Sequence, residues 1–278
     1  MAQSPPPENA PQDGVIFEDR VLVLNKYGEM LVGVLSKAGS RKLVILCHGF
    51  CSSKGDRVMV NLSTALSMHG VSNFRFDFSG NGESQGQFQF GNYRKEAEDL
   101  HAIVQHFSEK GYEVITIVGH SKGGDVVLLY GSMYDDVGAI INISGRFDLQ
   151  DGLEERLGKK FMERIKRDGY LDLDLKKEQG KVIRVTEESL MERLNTDMKA
   201  AALSISNKCR VLTVHGSADE IIPVQDAFEF SKVIPNHKHH IIDGANHCYT
   251  EHESELASIV VEFIKSIQDE GVGATGGN

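Results

Sequence analysis

A serine hydroxyl attacks a carbonyl only when a base takes its proton, and three stretches of this chain hold residues for that chemistry. The first is Gly119-His120-Ser121-Lys122-Gly123, a Gly-x-Ser-x-Gly pentapeptide. Residues Glu113–Val118 before it read as a buried strand, and Asp125–Tyr130 after it as a helix. That is the setting of a nucleophile elbow, a sharp turn that lifts Ser121 above the sheet edge. A Cβ on either flank would collide with the turn, so Gly119 and Gly123 are expected there.

The second and third stretches supply the base and the group that orients it. With such an elbow the chain order is serine, acid, histidine, each on a loop at the carboxyl end of a strand. A strand over Cys209–His215 runs into Gly216-Ser217-Ala218-Asp219. Another over His237–Ile242 runs into Asp243-Gly244-Ala245-Asn246-His247. Asp219 and His247 therefore stand where acid and base belong, as the carboxylate holds the imidazole that deprotonates the serine. The developing oxyanion needs two N–H donors. Lys122, after the nucleophile, offers one, and Phe50 in His48-Gly49-Phe50-Cys51 is the candidate for the other.

Other residues are read as structural. Asp243 makes the turn with Gly244, and His48, His120 and His215, at strand ends or the elbow, read as structural hydrogen-bonding residues. His237 and His239 share one face of their strand while His240 points away, and no acidic or cysteine partner adjoins them, so no metal site is expected. Ser79-Gly80-Asn81-Gly82-Glu83-Ser84 lacks the third glycine of a phosphate-binding loop and reads as a tight turn. Arg75 and Asp77, alternating with Phe74, Phe76 and Phe78, are read as structural too.

Positioning these loops requires a sheet. Strands and helices alternate: a hairpin around Tyr27-Gly28, a strand Leu43–Cys47, a helix near 57–69, a strand Ser72–Phe78 and a helix near 93–109. After the elbow comes a strand Gly138–Ile143. The alternation breaks at Gly145 and resumes at Cys209, continuing through helix Val224–Val233 to a final helix Glu251–Ile267. This predicts an α/β fold, a mostly parallel sheet with helices on both faces. Residues 146–206, charged and helical in pattern with one short strand at Val182–Val185, read as an inserted helical lid. The core is then 15–145 and 207–268, with disordered tails at 1–14 and 269–278.

Composition narrows the class. The formal net charge of −10 argues against nucleic-acid partners and against electrostatic attachment to an anionic membrane. No apolar run suits a membrane anchor, and Met1–Glu8 has neither the basic head nor the apolar core of a secretory signal. Four cysteines without Cys-x-x-Cys spacing are read as free thiols, and the cytoplasm is the expected compartment. Of two Asn-x-Ser sequons, the one at Asn142 falls in an apolar strand and says nothing for secretion. The role of Cys51, beside Phe50, stays open, and nothing in the chain sets an oligomeric state.

Across roughly 15–268 these motifs resemble the α/β-hydrolase superfamily. The markers are His48-Gly49-Phe50, Phe74–Phe78 with Gly80–Ser84, Gly119–Gly123, His215–Asp219 and Gly244–His247. Together they look most like the serine-aminopeptidase-type branch that includes the cinnamoyl and feruloyl esterases. The resemblance implies a serine hydrolase with a small lid, needing no metal or organic cofactor and acting on a small-molecule ester. It implies Ser121 as nucleophile, His247 as base, Asp219 as orienting acid, and Phe50 and Lys122 as oxyanion donors. Bacterial cinnamoyl esterases usually carry glutamine where this chain has Lys122, and the charged lid does not reproduce a phenolic-acid pocket. A lipase, thioesterase, peptidase or acyltransferase would share the same residues, as would a receptor-like binding protein with little turnover.

Overall fold

The computed structural model describes residues 17–175 and 180–273. Strands β1 (Phe17–Leu24) and β2 (Met30–Lys37) pair across the Tyr27-Gly28 turn. There follow β3 (Lys42–Cys47), α1 (Arg57–Met68), β4 (Ser72–Phe76), α2 (Tyr93–Glu109), β5 (Glu113–His120), α3 (Lys122–Met133) and β6 (Ala139–Ile143). Then come α4 (Leu153–Leu157), α5 (Phe161–Asp168), β7 (Tyr170–Leu175), β8 (Lys181–Thr186), α6 (Glu187–Leu194) and α7 (Met198–Ser204). The chain closes with β9 (Arg210–Gly216), α8 (Gln225–Val233), β10 (His237–Ile242) and α9 (Glu253–Gly273).

Eight strands form one sheet in the order β1-β2-β4-β3-β5-β6-β9-β10. Pairing is antiparallel from β1 to β4 and parallel from β4 onward, which is the α/β-hydrolase arrangement. The inner strands are apolar on both faces because helices cover both. Val44, Leu46, Val118 and Ile141 meet Leu62 and Leu66 of α1 and Val260 and Ile264 of α9. Ile45, Phe74 and Ile117 meet Leu100 and Phe107 of α2 and Val127 of α3. Each such side chain, fully buried, is worth about 1.5–3 kcal/mol. Register aligns the carboxyl ends: Cys47 lies opposite Gly119, His120 opposite Ile143, and Gly216 opposite Ile242. The loops that leave those ends therefore gather on one rim.

The segment between β6 and β9 departs from expectation in two ways. It contains a two-stranded antiparallel sheet, β7 with β8, where only a short strand near 182–185 was expected. Tyr170-Leu-Asp-Leu-Asp-Leu175 does alternate, with Leu171 and Leu175 buried and the aspartates outward. Aspartate is poor in strands, and the charged surroundings hid the period of two. Second, Met198, Ala201 and Ala202 of α7 lie in the core beneath α3, inside the range expected to be lid. The separate apolar cluster, with Leu153, Leu157, Ile165, Leu171 and Leu190, belongs to α4–α6 and β7–β8.

Helix α9 runs to Gly273, into the stretch expected as a tail. Its apolar stripe ends near Ile267, but backbone hydrogen bonding carries a formed helix beyond its packed face. Residues 1–14 and 274–278, read as disordered, lie outside the described residues.

Candidate active site

Between β5 and α3 the backbone turns sharply at Ser121, whose φ of 56° and ψ of −124° are unusual for a residue with a side chain. Such a conformation costs about 1–3 kcal/mol and persists only where its surroundings impose it. A Cβ on Gly119 would lie 2.0 Å from the Gly123 carbonyl oxygen, and one on Gly123 would lie 2.4 Å from that of Cys47. The Ser121 N–H donates to the Ile143 carbonyl at 2.8 Å, fixing the turn to the next strand. The hydroxyl is half-buried at the rim.

His247 and Asp219 converge on it from the loops after β10 and β9. His247 Nε2 lies 3.0 Å from Ser121 Oγ, and Nδ1 lies 2.8 Å from Asp219 Oδ2. A carboxylate oxygen only accepts, so Nδ1 carries hydrogen and the Nε2 lone pair faces the serine. Burial alone would raise Asp219. Hydrogen bonds from His215, His247 and the Ile222 N–H outweigh it and hold the carboxyl well below the usual carboxylate range. Its Oδ1 accepts from the Ile221 and Ile222 N–H groups at 2.9 and 2.8 Å. The His247 backbone is itself anchored, since His120 Nε2 donates to its carbonyl at 2.9 Å. Burial pushes His120 down to about 4, so its ring is neutral near pH 7.

The loop after β3 closes the other side. A Cβ on Gly49 would sit 3.1 Å from Ser121 Cβ, so the backbone at Gly49 runs directly beside the nucleophile. Lys122 is the first residue of α3, and its N–H has no acceptor within the helix. His48 braces this loop, with Nδ1 2.8 Å from the Gly49 carbonyl and Nε2 accepting from the Phe78 N–H at 3.1 Å. The Phe50 ring leaves the rim and packs edge-on against Phe88 and Phe90, with centroids 5.5 Å apart in each case.

Ser121, His247 and Asp219 therefore meet at one point, with the Gly49 loop and Lys122 beside the serine and His48, His120 and His215 bracing them. Three supporting contacts were not legible in the sequence. Asp77 accepts from the Lys54 N–H and Nζ, both at 2.6 Å, and from the Glu83 N–H at 2.9 Å, knotting two rim loops together. The Lys122 ammonium is buried 2.6 Å from Glu96 Oε1 of α2. Burial raises Glu96 to about 7 against the pull of that ammonium. His215 lies beside Asp219, with Nε2 3.4 Å from Oδ2. Only the spacing from β9 hinted at that last contact.

Among the described residues no group of three or more His, Cys, Asp or Glu is placed to hold a metal ion. His237 and His239 are neighbours on one face, as expected, and His237 Nε2 meets the Thr213 hydroxyl at 2.8 Å. No described helix is long and apolar enough to cross a membrane.

Comparison with known proteins agrees with this architecture. The family model described as "Serine aminopeptidase, S33" matches residues 38–199, more than half of the chain. Est1E from Butyrivibrio proteoclasticus, solved with ferulic acid bound, superposes with a TM-score of 0.77 and is 27% identical. The match covers 90% of this chain and 100% of that one. The Pyrococcus furiosus esterase Pf2001, at 22% identity and a TM-score of 0.70, shares the fold over 90% of this chain and 93% of its own. An uncharacterized protein of Saccharomyces cerevisiae is 25% identical over 227 residues, 75% of this chain and 69% of its own length. With an elbow, a rim and a sheet of this kind, the chain belongs to the serine aminopeptidase S33 family and is an α/β hydrolase.

Proposed function

We propose that the protein is a serine esterase that cleaves a small or medium carboxylic ester through an acyl-enzyme on Ser121. One observation carries the reading: a hydrogen-bonded line runs from Ser121 Oγ through the two nitrogens of His247 to the buried Asp219 carboxylate. In the first step Ser121 Oγ bonds to the ester carbonyl carbon and its proton passes to His247 Nε2. The carbonyl oxygen becomes an oxyanion facing the N–H groups of Phe50 and Lys122. Collapse expels the alkoxide, which takes the proton from His247 and leaves as the alcohol. Water then attacks the acyl carbon by the same route, giving the acid and restoring Ser121. Asp219 holds the imidazole tautomer and balances its charge.

The acyl group of this proposal is flat and apolar, of cinnamoyl or feruloyl type. The ferulic acid bound by Est1E supports it. The cluster of α4–α6 and β7–β8, which includes Phe50 and Phe90, acts in this reading as a lid over the acyl site.

Steady-state hydrolysis of short-chain p-nitrophenyl esters and methyl ferulate by wild type and Ser121→Ala tests it. The expected result is turnover by wild type and a loss on the order of 10⁶-fold in the variant. Wild-type rates retained by Ser121→Ala would end the serine reading. Turnover of alkyl esters without methyl ferulate would keep the esterase and discard the aromatic acyl group. A folded wild type that turns over no ester would favour a narrow peptidase or a binding protein.

A further inference from the structure

We infer that His215, read from sequence as structural, is a positioning residue for this reaction: its imidazole keeps the Asp219 carboxylate turned toward His247. The inference rests on the serine-hydrolase reading above. His215 is the penultimate residue of β9 and fully buried. Its Nε2 lies 3.0 Å from the Ile222 carbonyl oxygen and 3.4 Å from Asp219 Oδ2. A carbonyl oxygen only accepts, so Nε2 carries the ring's hydrogen and gives it to the Ile222 carbonyl, while the same edge of the ring lies against Asp219 Oδ2.

The contacts close a small circuit. Asp219 Oδ1 is held by the N–H groups of Ile221 and Ile222, and the Ile222 carbonyl returns to His215. Oδ2 faces two imidazoles, His247 at 2.8 Å and His215 at 3.4 Å. Both carboxylate oxygens are thus engaged, and rotation about the Cβ–Cγ bond would break contacts on each side. Arg146 Nη2 donates to the Ile221 carbonyl at 2.6 Å, tying the circuit to the chain after β6.

The opposite edge of the ring is bare. His215 Nδ1 is buried and has no hydrogen-bond partner among the described residues. Buried polar atoms without partners are disfavoured, and an apolar side chain would avoid the penalty. The ring's satisfied edge is the one turned to the catalytic carboxylate. Asp226 of α8 is another carboxyl near the ring, but its Oδ2 already accepts from the Phe147 N–H at 2.9 Å. The service of Nε2 is to Asp219 and its loop.

The test compares His215→Leu, His215→Asn and His215→Gln with wild type and Ser121→Ala, using p-nitrophenyl acetate. Active sites are counted by fluorophosphonate labelling run to completion, so kcat refers to folded sites alone. Leucine removes the donor, asparagine is too short to reach it, and the glutamine amide can take the Nε2 position. We expect kcat per site to fall on the order of 10–100-fold in the leucine and asparagine variants, the range seen when a side chain orienting a functional group is lost. KM should stay within about twofold of wild type, and glutamine should restore kcat to within about fivefold. A leucine variant with kcat per site within about twofold of wild type would overturn the inference. Should leucine prevent folding, asparagine and glutamine decide alone, and equal kcat in those two would overturn it. Ser121→Ala that still turned over substrate would instead remove the serine reading, whatever His215 did.

Discussion

The rim of the sheet and the segment of α4–α6 with β7–β8 are held together by different means. On the rim the charges are out of water. Asp219 and Asp77 are wholly buried, and the Lys122 and Glu96 side chains are each only 4% exposed. Each has hydrogen-bonding partners from elements far apart in sequence. In the other segment, apart from Arg193 of α6, which is buried against the Leu149 carbonyl and the Tyr93 hydroxyl, the ion pairs stand in solvent. The Arg184–Asp172 pair is 58% and 44% exposed, and Arg167–Asp168 and Lys160–Glu163 are similarly open. A small apolar cluster joins those elements. Burial makes a polar contact strong, directional and costly to leave unmade, whereas solvent screening makes it weak and replaceable. The rim can therefore hold reacting atoms to a fraction of an ångström, while the outer segment can vary without loss of the fold.

Substitutions on each side would break or sharpen this contrast. Beyond Ser121→Ala, the largest effect is expected of Asp219→Asn. An amide offers His247 the wrong hydrogen-bonding partner, and kcat should fall on the order of 10⁴-fold with the fold intact. A fall of less than tenfold on p-nitrophenyl acetate would mean that Asp219 does not orient the base.

Next is Lys122→Met, which leaves Glu96 buried beside no cation. Breaking such a pair costs about 3–5 kcal/mol, visible as a lower urea midpoint. The paired change Lys122→Met with Glu96→Leu should recover most of that loss, because two apolar side chains need no compensation. Equal destabilisation by the single and paired changes would show that packing, and not charge burial, holds this point.

Acid stability gives a smaller signature. Asp219 is held below the range of an unfolded carboxylate, near 3.9. The folded state therefore binds fewer protons at that site than the unfolded state does. Its contribution is fully present above about pH 5 and drains away as the pH falls through 4 and below. Asp219→Asn has no such contribution to lose. Its melting temperature should decline less steeply than that of wild type between pH 5 and 3, and parallel declines would contradict the hydrogen bonding assigned to the Asp219 carboxylate.

The smallest effect belongs to the outer segment. Arg184→Ala removes an exposed pair and a stacking contact with Tyr170, and the melting temperature should stay within about 2 °C of wild type. A larger drop would mean that the β7–β8 sheet bears weight that its exposure does not suggest.

Sequence legibility follows the same division. The elbow, the acid loop and the base loop could be read because each pairs a strand of uninterrupted apolar residues with a short turn of fixed composition. Local sterics around Gly119 and Gly123 determine the rest of that geometry. Strand β7 was missed because its alternation of leucine with aspartate competes with the helix-like charge pattern around it. The span of α9 beyond its apolar stripe was missed because amphipathic period marks packing and not hydrogen bonding.

By itself the sequence determined the order of strands and helices outside residues 146–206, and the place of Ser121, Asp219 and His247 at strand ends. Those depend on local pattern, on turn chemistry and on chain order. Only the tertiary structure decided which side chains support them. Glu96 reaches Lys122 across 26 positions, Asp77 reaches Lys54 across 23, and His120 reaches the His247 carbonyl across 127. A charged or polar residue in a strand or helix reads alike whether it faces solvent or a buried partner. The partner is set by how the layers stack, and that is a property of the whole fold.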